Sequence, residues 1–344
     1  MELKGLVGPS KRKVRTLSGI MMNALVVGAG SVGQVIARHL HIGGSTVSFF
    51  TRGEHARRIG DGLVLIHLNK RDARMRPIRF GSFDVLTQFS QLDEQSWDQI
   101  YICVPSNGLS DNMLKGVKRQ GGRATIIKFQ PGLGDRNHFT SHFDESVLVT
   151  GMISFISYRA PLSGENVAEP GMAYWFPPLL STLFSGSEDR VQEVVNALNR
   201  GGLPVKAHRD VESLVGHVLA VQAPLIAGLE CVGWSIRQFT HSNWLKVACR
   251  AAKEASKVVA KVKGSDPPVI VRALNCSIIR LAISLLPKQK PFNMESYLAS
   301  HYTKLQEQSR QHIDDYIEQG VKHGLSFESL KELRVGLEKN EIVG

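Results

Sequence analysis

Two regimes of hydrophobic patterning divide the chain. Up to His208, short apolar runs alternate with segments of helical spacing. The runs are 24–27, 46–50, 62–66, 99–104, 124–129, 146–150 and 152–156, with a last short one at 205–208. Runs of this length read as strands, and the unbroken apolar character of Ala24-Leu25-Val26-Val27 fits a parallel strand covered on both faces. Between them, 34–40 and 186–199 carry helical spacing, the second through Val191, Val194, Val195 and Leu198. Beyond His208, the segments 212–233, 244–262, 269–286, 294–320 and 327–338 are all helix-like, punctuated by Pro267, Pro268, Pro287 and Pro291. This predicts a doubly wound α/β domain over 23–207 and an all-helical domain over 208–344, which would serve substrate binding or dimerisation.

Gly28-Ala29-Gly30-Ser31-Val32-Gly33 stands directly between the first strand and the first helix. That context separates a dinucleotide-binding turn from an ordinary glycine-rich one. Gly28 permits the tight turn, Gly30 lets the backbone approach a pyrophosphate, and Gly33 lets helix and strand pack closely. The helix N-terminus then presents backbone N–H groups to the phosphates. The first domain is therefore expected to be of the Rossmann type. Its second strand ends at Thr51-Arg52, where an NAD site usually carries a carboxylate for the ribose hydroxyl. A guanidinium there can hold a 2′-phosphate with two parallel hydrogen bonds, so the expected cofactor is NADP(H). The alternative for Arg52 is a solvated loop side chain.

Composition narrows the partners. A chain of 344 residues, 42% hydrophobic and 21% charged, has apolar material for about two packed domains. Its net charge of +11 favours anionic ligands. The four cysteines form no C-x-x-C pair, which argues against a zinc ribbon, and reduced thiols fit a cytoplasmic setting. The apolar stretch 218–236 is interrupted by Gln222, Pro224 and Glu230, so it reads as buried helix and not as a membrane span; an internal core and a homodimer interface both explain it. Basic and aromatic residues are not interleaved as in a single-strand binder, so nucleic acid is set aside. Residues 1–22 are basic, with Glu2 the lone acid. They are expected to be a flexible extension, a targeting peptide, or a segment preceding a start at Met21 or Met22.

Three further segments resemble the ketopantoate reductase family. Phe129-Gln130-Pro131-Gly132-Leu133-Gly134-Asp135 is similar to its Q-N-G-x-G segment beside the nicotinamide. Asn293-Met294-Glu295-Ser296-Tyr297-Leu298 is similar to its N-x-x-S-M-L motif, and His323-Gly324-Leu325-Ser326 to its H-G-I-x segment. The resemblance implies a C-terminal domain like that of 6-phosphogluconate dehydrogenase. It also implies reduction of a small anionic 2-keto acid or related carbonyl compound, a cofactor contact at Gln130, and substrate contacts from Asn293 and Ser296. The chemistry departs from the family at three places. Pro131 takes the asparagine slot, and Gln308, twelve residues beyond Ser296, takes the glutamate slot. The W-x-K-L-x-x-N segment corresponds to 214–222, where Val218 takes the lysine slot, or His217 if the register moves by one. Val104-Pro105-Ser106 looks more like the V-P-S of glycerol-3-phosphate dehydrogenases.

Reducing a ketone by hydride transfer requires a donor to the developing oxyanion. His217 and Gln308 are the candidate catalytic residues. Imidazolium is a competent acid near neutrality, while an amide orients without exchanging charge. His217 can equally be a packed helix histidine, and Asn293 can equally cap the helix after it. Without such a donor the chain would be an NADPH-binding sensor or accessory protein. No metal is expected: His138 and His142 read as surface residues without an acidic partner, and His312 with Asp314 and Asp315 as a solvated helix face. Lys253, Lys257, Lys261 and Lys263 read as a solvated basic stripe.

Overall fold

The computed structural model describes residues 21–69, 76–120, 123–273, 275–285 and 291–343. Most of the predicted N-terminal extension lies outside the described residues; Met22 already belongs to the fold, its carbonyl accepting from Thr46 N at 2.9 Å.

In chain order the first half runs β1 (Asn23–Val27), α1 (Ser31–Ile42), β2 (Thr46–Phe50), α2 (Gly53–Gly60), β3 (Leu63–His67), β4 (Pro77–Phe80), β5 (Asp84–Leu86), α3 (Phe89–Leu92) and β6 (Gln99–Ile102). It continues with α4 (Asp111–Gln120), β7 (Thr125–Lys128), α5 (Asp135–Thr140), β8 (Leu148–Met152), β9 (Ile156–Ala160), β10 (Gly171–Trp175), β11 (Thr182–Gly186), α6 (Glu188–Arg200) and β12 (Val205–Ala207). The main sheet has the order β12-β11-β8-β7-β6-β1-β2-β5. It is parallel except where β11 runs against β8. β1 lies in its interior between β6 and β2, and Ala24, Leu25 and Val26 are fully buried, as an unbroken apolar run requires.

Two of the expected strands fall elsewhere. The 62–66 run leaves the main sheet and joins a separate four-stranded one, β4-β3-β10-β9. The runs 146–150 and 152–156 resolve into β8 alone, with β9 starting only at Ile156.

Among the described residues every later element is a helix: α7 (Val211–Glu230), α8 (Ile236–His241), α9 (Asn243–Lys263), α10 (Val269–Ala273), α11 (Cys276–Leu285), α12 (Met294–Thr303), α13 (Gln306–His323) and α14 (Glu328–Val343). The expected helices 269–286 and 294–320 are each two helices; Leu305, at φ −113° and ψ 16°, breaks the second. Asp210 caps α7 by accepting from Ser213 N. Small residues bring α7 and α9 together: Ala220, Ala223 and Ala227 share one buried cluster with Ala251 and Ala255. α7 is long and apolar enough to cross a membrane by length and composition, and half of that stretch is buried within the fold.

Candidate active site

The turn after β1 shows what each glycine does. Gly28 has φ +101°, and a Cβ there would lie 2.9 Å from Val104 Cγ1. A Cβ at Gly33 would stand 2.1 Å from the Gly28 carbonyl oxygen, so α1 can approach β1 this closely only without a side chain. Gly30 differs: a Cβ there meets nothing within 4 Å. The turn is braced from outside, Gly28 N donating to Phe50 O at 2.9 Å and Gln34 Nε2 to Ala29 O at 2.8 Å. Gly30 is the extended N-cap of α1, and no side chain caps that helix. Backbone donors, an open side and positive helix-end polarity together fit a dinucleotide pyrophosphate.

Two cavities flank this turn. One, of about 560 Å³, is lined by Ala29, Gly30 and Ser31 with His55, Arg58, Arg159 and Lys304. The other, of about 840 Å³, lies between the sheets and the helices and is lined by Val32, Phe129, Pro131, residues 152–157 and Trp175 on one side. Ser157 and His301 line both. α7 contributes Val215, Val218, Leu219, Gln222 and Ile226 to the larger cleft; α12 contributes Met294, Tyr297, Leu298, His301 and Tyr302. Both sets follow the three-and-four spacing of a single helix face.

This geometry settles the register on α7. Val218 faces the cleft. His217, about 100° around the helix, is fully buried, with Nε2 3.1 Å from the Ser265 carbonyl oxygen. Burial pushes its pKa below the usual histidine value. The expectation of His217 as an acid at the reaction centre is therefore corrected to a packed helix histidine.

Other expected residues are also engaged elsewhere. Gln130 Nε2 donates to Ile102 O at 3.0 Å and Val104 O at 2.6 Å, while its Oε1 accepts from Phe129 N. It stitches the ends of β6 and β7 together and shapes the loop with its whole amide. Asn293 is exposed and caps α12, its Oδ1 accepting from Ser296 N at 3.0 Å. It opens onto another pocket with Arg237, His241 and Glu295 and does not line the larger cleft, and Ser296 lines neither cavity flanking the turn. Gln308 also lies outside both cavities, with Nε2 3.5 Å from His312 Nε2. His312 is itself buried, which corrects its reading as part of a solvated face. Arg52 stands exposed at the N-cap of α2, at the end of β2. It lines neither cavity, whereas His55 and Arg58, further along α2, line the smaller one.

The cleft also holds Tyr302 and His301, polar side chains that sequence reading missed. Gln222 Nε2 donates to the Tyr302 hydroxyl at 2.6 Å. Burial raises the Tyr302 pKa and the Gln222 bond opposes it, so the phenol keeps its proton at neutral pH. His301 stacks on Tyr297 at 5.3 Å between ring centroids. Burial, with Lys304 nearby, pushes its pKa down to about 4, so it is a neutral imidazole at pH 7. The face spacing of 294–302 was the available signal.

Beneath the cleft, Glu212 on the first turn of α7 joins Lys128 of β7 and Lys263 at the end of α9. Its Oε1 lies 2.8 Å from Lys263 Nζ and its Oε2 lies 2.5 Å from Lys128 Nζ. Burial alone would raise the Glu212 pKa; the two ammonium groups outweigh it and hold the carboxyl at about 2. Lys263 thus leaves the predicted solvated stripe and ties helices to sheet.

Residues 24–171 match the family described as ketopantoate reductase PanE/ApbA. They form a ketopantoate reductase-family domain. No curated protein matches the chain. Solved structures extend the likeness over the helical half. D-mandelate dehydrogenase with NADH and anilino(oxo)acetate gives a TM-score of 0.71 at 15% identity, covering 94% of this chain and 99% of that one. The PanE/ApbA family ketopantoate reductase from Ralstonia eutropha JMP134 gives 0.70 at 17% identity, covering 92% and 97%. The 2-dehydropantoate 2-reductase from Geobacter metallireducens GS-15 gives 0.68 at 14% identity, covering 93% and 100%. The fold of α/β sheet followed by helices is thus the ketopantoate reductase fold. The family match ends at Gly171, before the helices that form the other wall of the cleft.

Proposed function

We propose that the chain is an NADPH-dependent oxidoreductase that reduces a small 2-keto acid or related carbonyl compound in the larger cleft. One observation carries the reading: a turn whose only unobstructed glycine, among Gly28, Gly30 and Gly33, is the one facing a pyrophosphate path opens beside a mostly apolar cleft with a phenol in its wall. Residues 28–33 would hold the pyrophosphate on backbone N–H groups, and Arg52 would grip the 2′-phosphate. The bound nucleotide supplies the hydride. The chain's residues do the rest. Phe129, Pro131, Trp175 and Val218 exclude water, which strengthens every polar contact inside. Lys206, which also lines the cleft, attracts a carboxylate. Because the Tyr302 oxygen already accepts from Gln222, its own proton is left to donate to a carbonyl oxygen as charge develops there.

The second reading is an NADPH-binding protein without turnover. It is favoured by Val218 and Gln222, since α7 presents no lysine to the cleft among its lining residues. Titration with NADPH, followed by tryptophan fluorescence and melting temperature, tests what both readings share. If neither NADPH nor NADH binds, both fall. If NADPH binds, a panel of 2-keto acids, keto sugars and aldehydes separates them through NADPH oxidation at 340 nm.

A further inference from the structure

Outside the cleft, the fold brings together three side chains that the sequence keeps apart. Asp111 opens α4, after the loop that leaves β6. His138 lies in α5 and His142 one turn beyond it. His138 Nε2 is 2.8 Å and His142 Nε2 3.0 Å from the same oxygen, Asp111 Oδ1. Both imidazoles thus aim one nitrogen at a single point, and the acidic partner missing from the local sequence arrives from 27 residues upstream.

We propose that Asp111, His138 and His142 form a binding site for one divalent transition-metal ion of the zinc class. Two imidazole nitrogens and one carboxylate oxygen make a ligand set that zinc favours, and a fourth position open to solvent completes a tetrahedron. Around zinc, ligand atoms stand roughly 3.3 Å apart, given metal–ligand bonds of about 2.0–2.1 Å. The nitrogen–oxygen distances here need to open by only a few tenths of an ångström. Asp111, with a side chain 65% exposed, can swing that far.

The histidines cannot swing as freely, and this preorganises the site. Phe139 and Phe143, the next residues in the same turns, are buried in one apolar cluster with Leu114 and Val117 of α4. The backbone of that turn is continuous, His142 N donating to Phe139 O at 3.0 Å and Phe143 N to Phe139 O at 2.8 Å. The packing thus fixes the α4–α5 spacing before any ion arrives. Each histidine would bind as neutral imidazole with its proton on Nδ1, so the present Nε2–carboxylate contacts exchange for metal bonds. The ion would staple α4 to α5. These helices start from the two loops that Asp135 already joins, its Oδ2 accepting from Ser106 Oγ at 2.7 Å and Gly132 N at 2.6 Å.

The test is isothermal titration of the chelator-stripped, untagged full-length chain with zinc chloride, repeated with cobalt chloride under visible absorption. The expected result is one zinc ion per chain, a rise in melting temperature, and the absorption of four-coordinate cobalt. Asp111→Asn and His138→Ala should each weaken zinc binding by about tenfold or more. His138 is 31% exposed, so its removal spares the fold if the Asp111 variant does not. Absence of stoichiometric uptake by the wild type overturns the proposal, as does undiminished uptake by the folded variants. NADPH binding is scored separately, so loss of the metal site leaves the proposed function untouched.

Discussion

Gln222 and Tyr302, eighty residues apart in sequence, meet across the cleft through one hydrogen bond of 2.6 Å from amide to phenol. One lies on α7 and the other on α12. The bond fixes the phenol's position in a wall that is otherwise mostly apolar.

Replacing Tyr302 with Phe removes the donor and keeps the ring. NADPH affinity should stay within twofold or so, while kcat on the best keto-acid substrate falls by roughly a hundredfold or more. His217→Ala should leave kcat nearly unchanged and lower the melting temperature, because that side chain packs against Ser265. A phenol-less variant with wild-type kcat removes Tyr302 from the mechanism.

Gly30 and Gly33 should respond oppositely to alanine. At Gly30 the new methyl meets nothing within 4 Å, so the melting temperature should hold while NADPH binding weakens severalfold. At Gly33 it meets a carbonyl oxygen at 2.1 Å, and about 1–3 kcal/mol of stability should be lost. Thermal melts and nucleotide titrations on the same two samples check both halves.

Arg52→Ala should reduce the NADPH-over-NADH preference by about tenfold or more, the worth of a charge-assisted hydrogen bond. If the ratio holds and Arg58→Ala changes it, the phosphate sits lower along α2, beside the smaller cavity.

Glu212 should contribute stability that depends on pH. Its folded pKa of about 2 lies below the ordinary carboxyl value of 4.5. The contribution is therefore complete above pH 4.5 and drains away as pH falls toward 2. Glu212→Gln leaves Lys128 and Lys263 buried without their counter-charge, a loss of about 3–5 kcal/mol at pH 7. Urea unfolding between pH 7 and pH 3 should show the gap between wild type and variant narrowing with acid. A gap independent of pH would contradict the ion triad.

Local rules in the sequence determined the parallel central strands, the glycine turn with its close packing at Gly28 and Gly33, the change to all-helical structure after β12, and the amphipathic face of α6. Each follows from neighbours within a few residues: an unbroken apolar run, a missing Cβ, a three-and-four spacing. Tertiary structure decided what those rules leave open. A one-residue register on α7 separates His217 from Val218 by a third of a turn, and only packing against α9 and the sheet shows which one faces the cleft. Asn293 and Gln130 have amide groups that serve caps and loops as readily as ligands, and the choice rests on which backbone groups come within reach. β3 joined a different sheet because one of its two pairing partners, β10, lies far along the chain. For the same reason the Gln222–Tyr302 pair, the Glu212 triad and the Asp111–His138–His142 cluster had no local signature, since contacts between distant segments leave no periodicity to read.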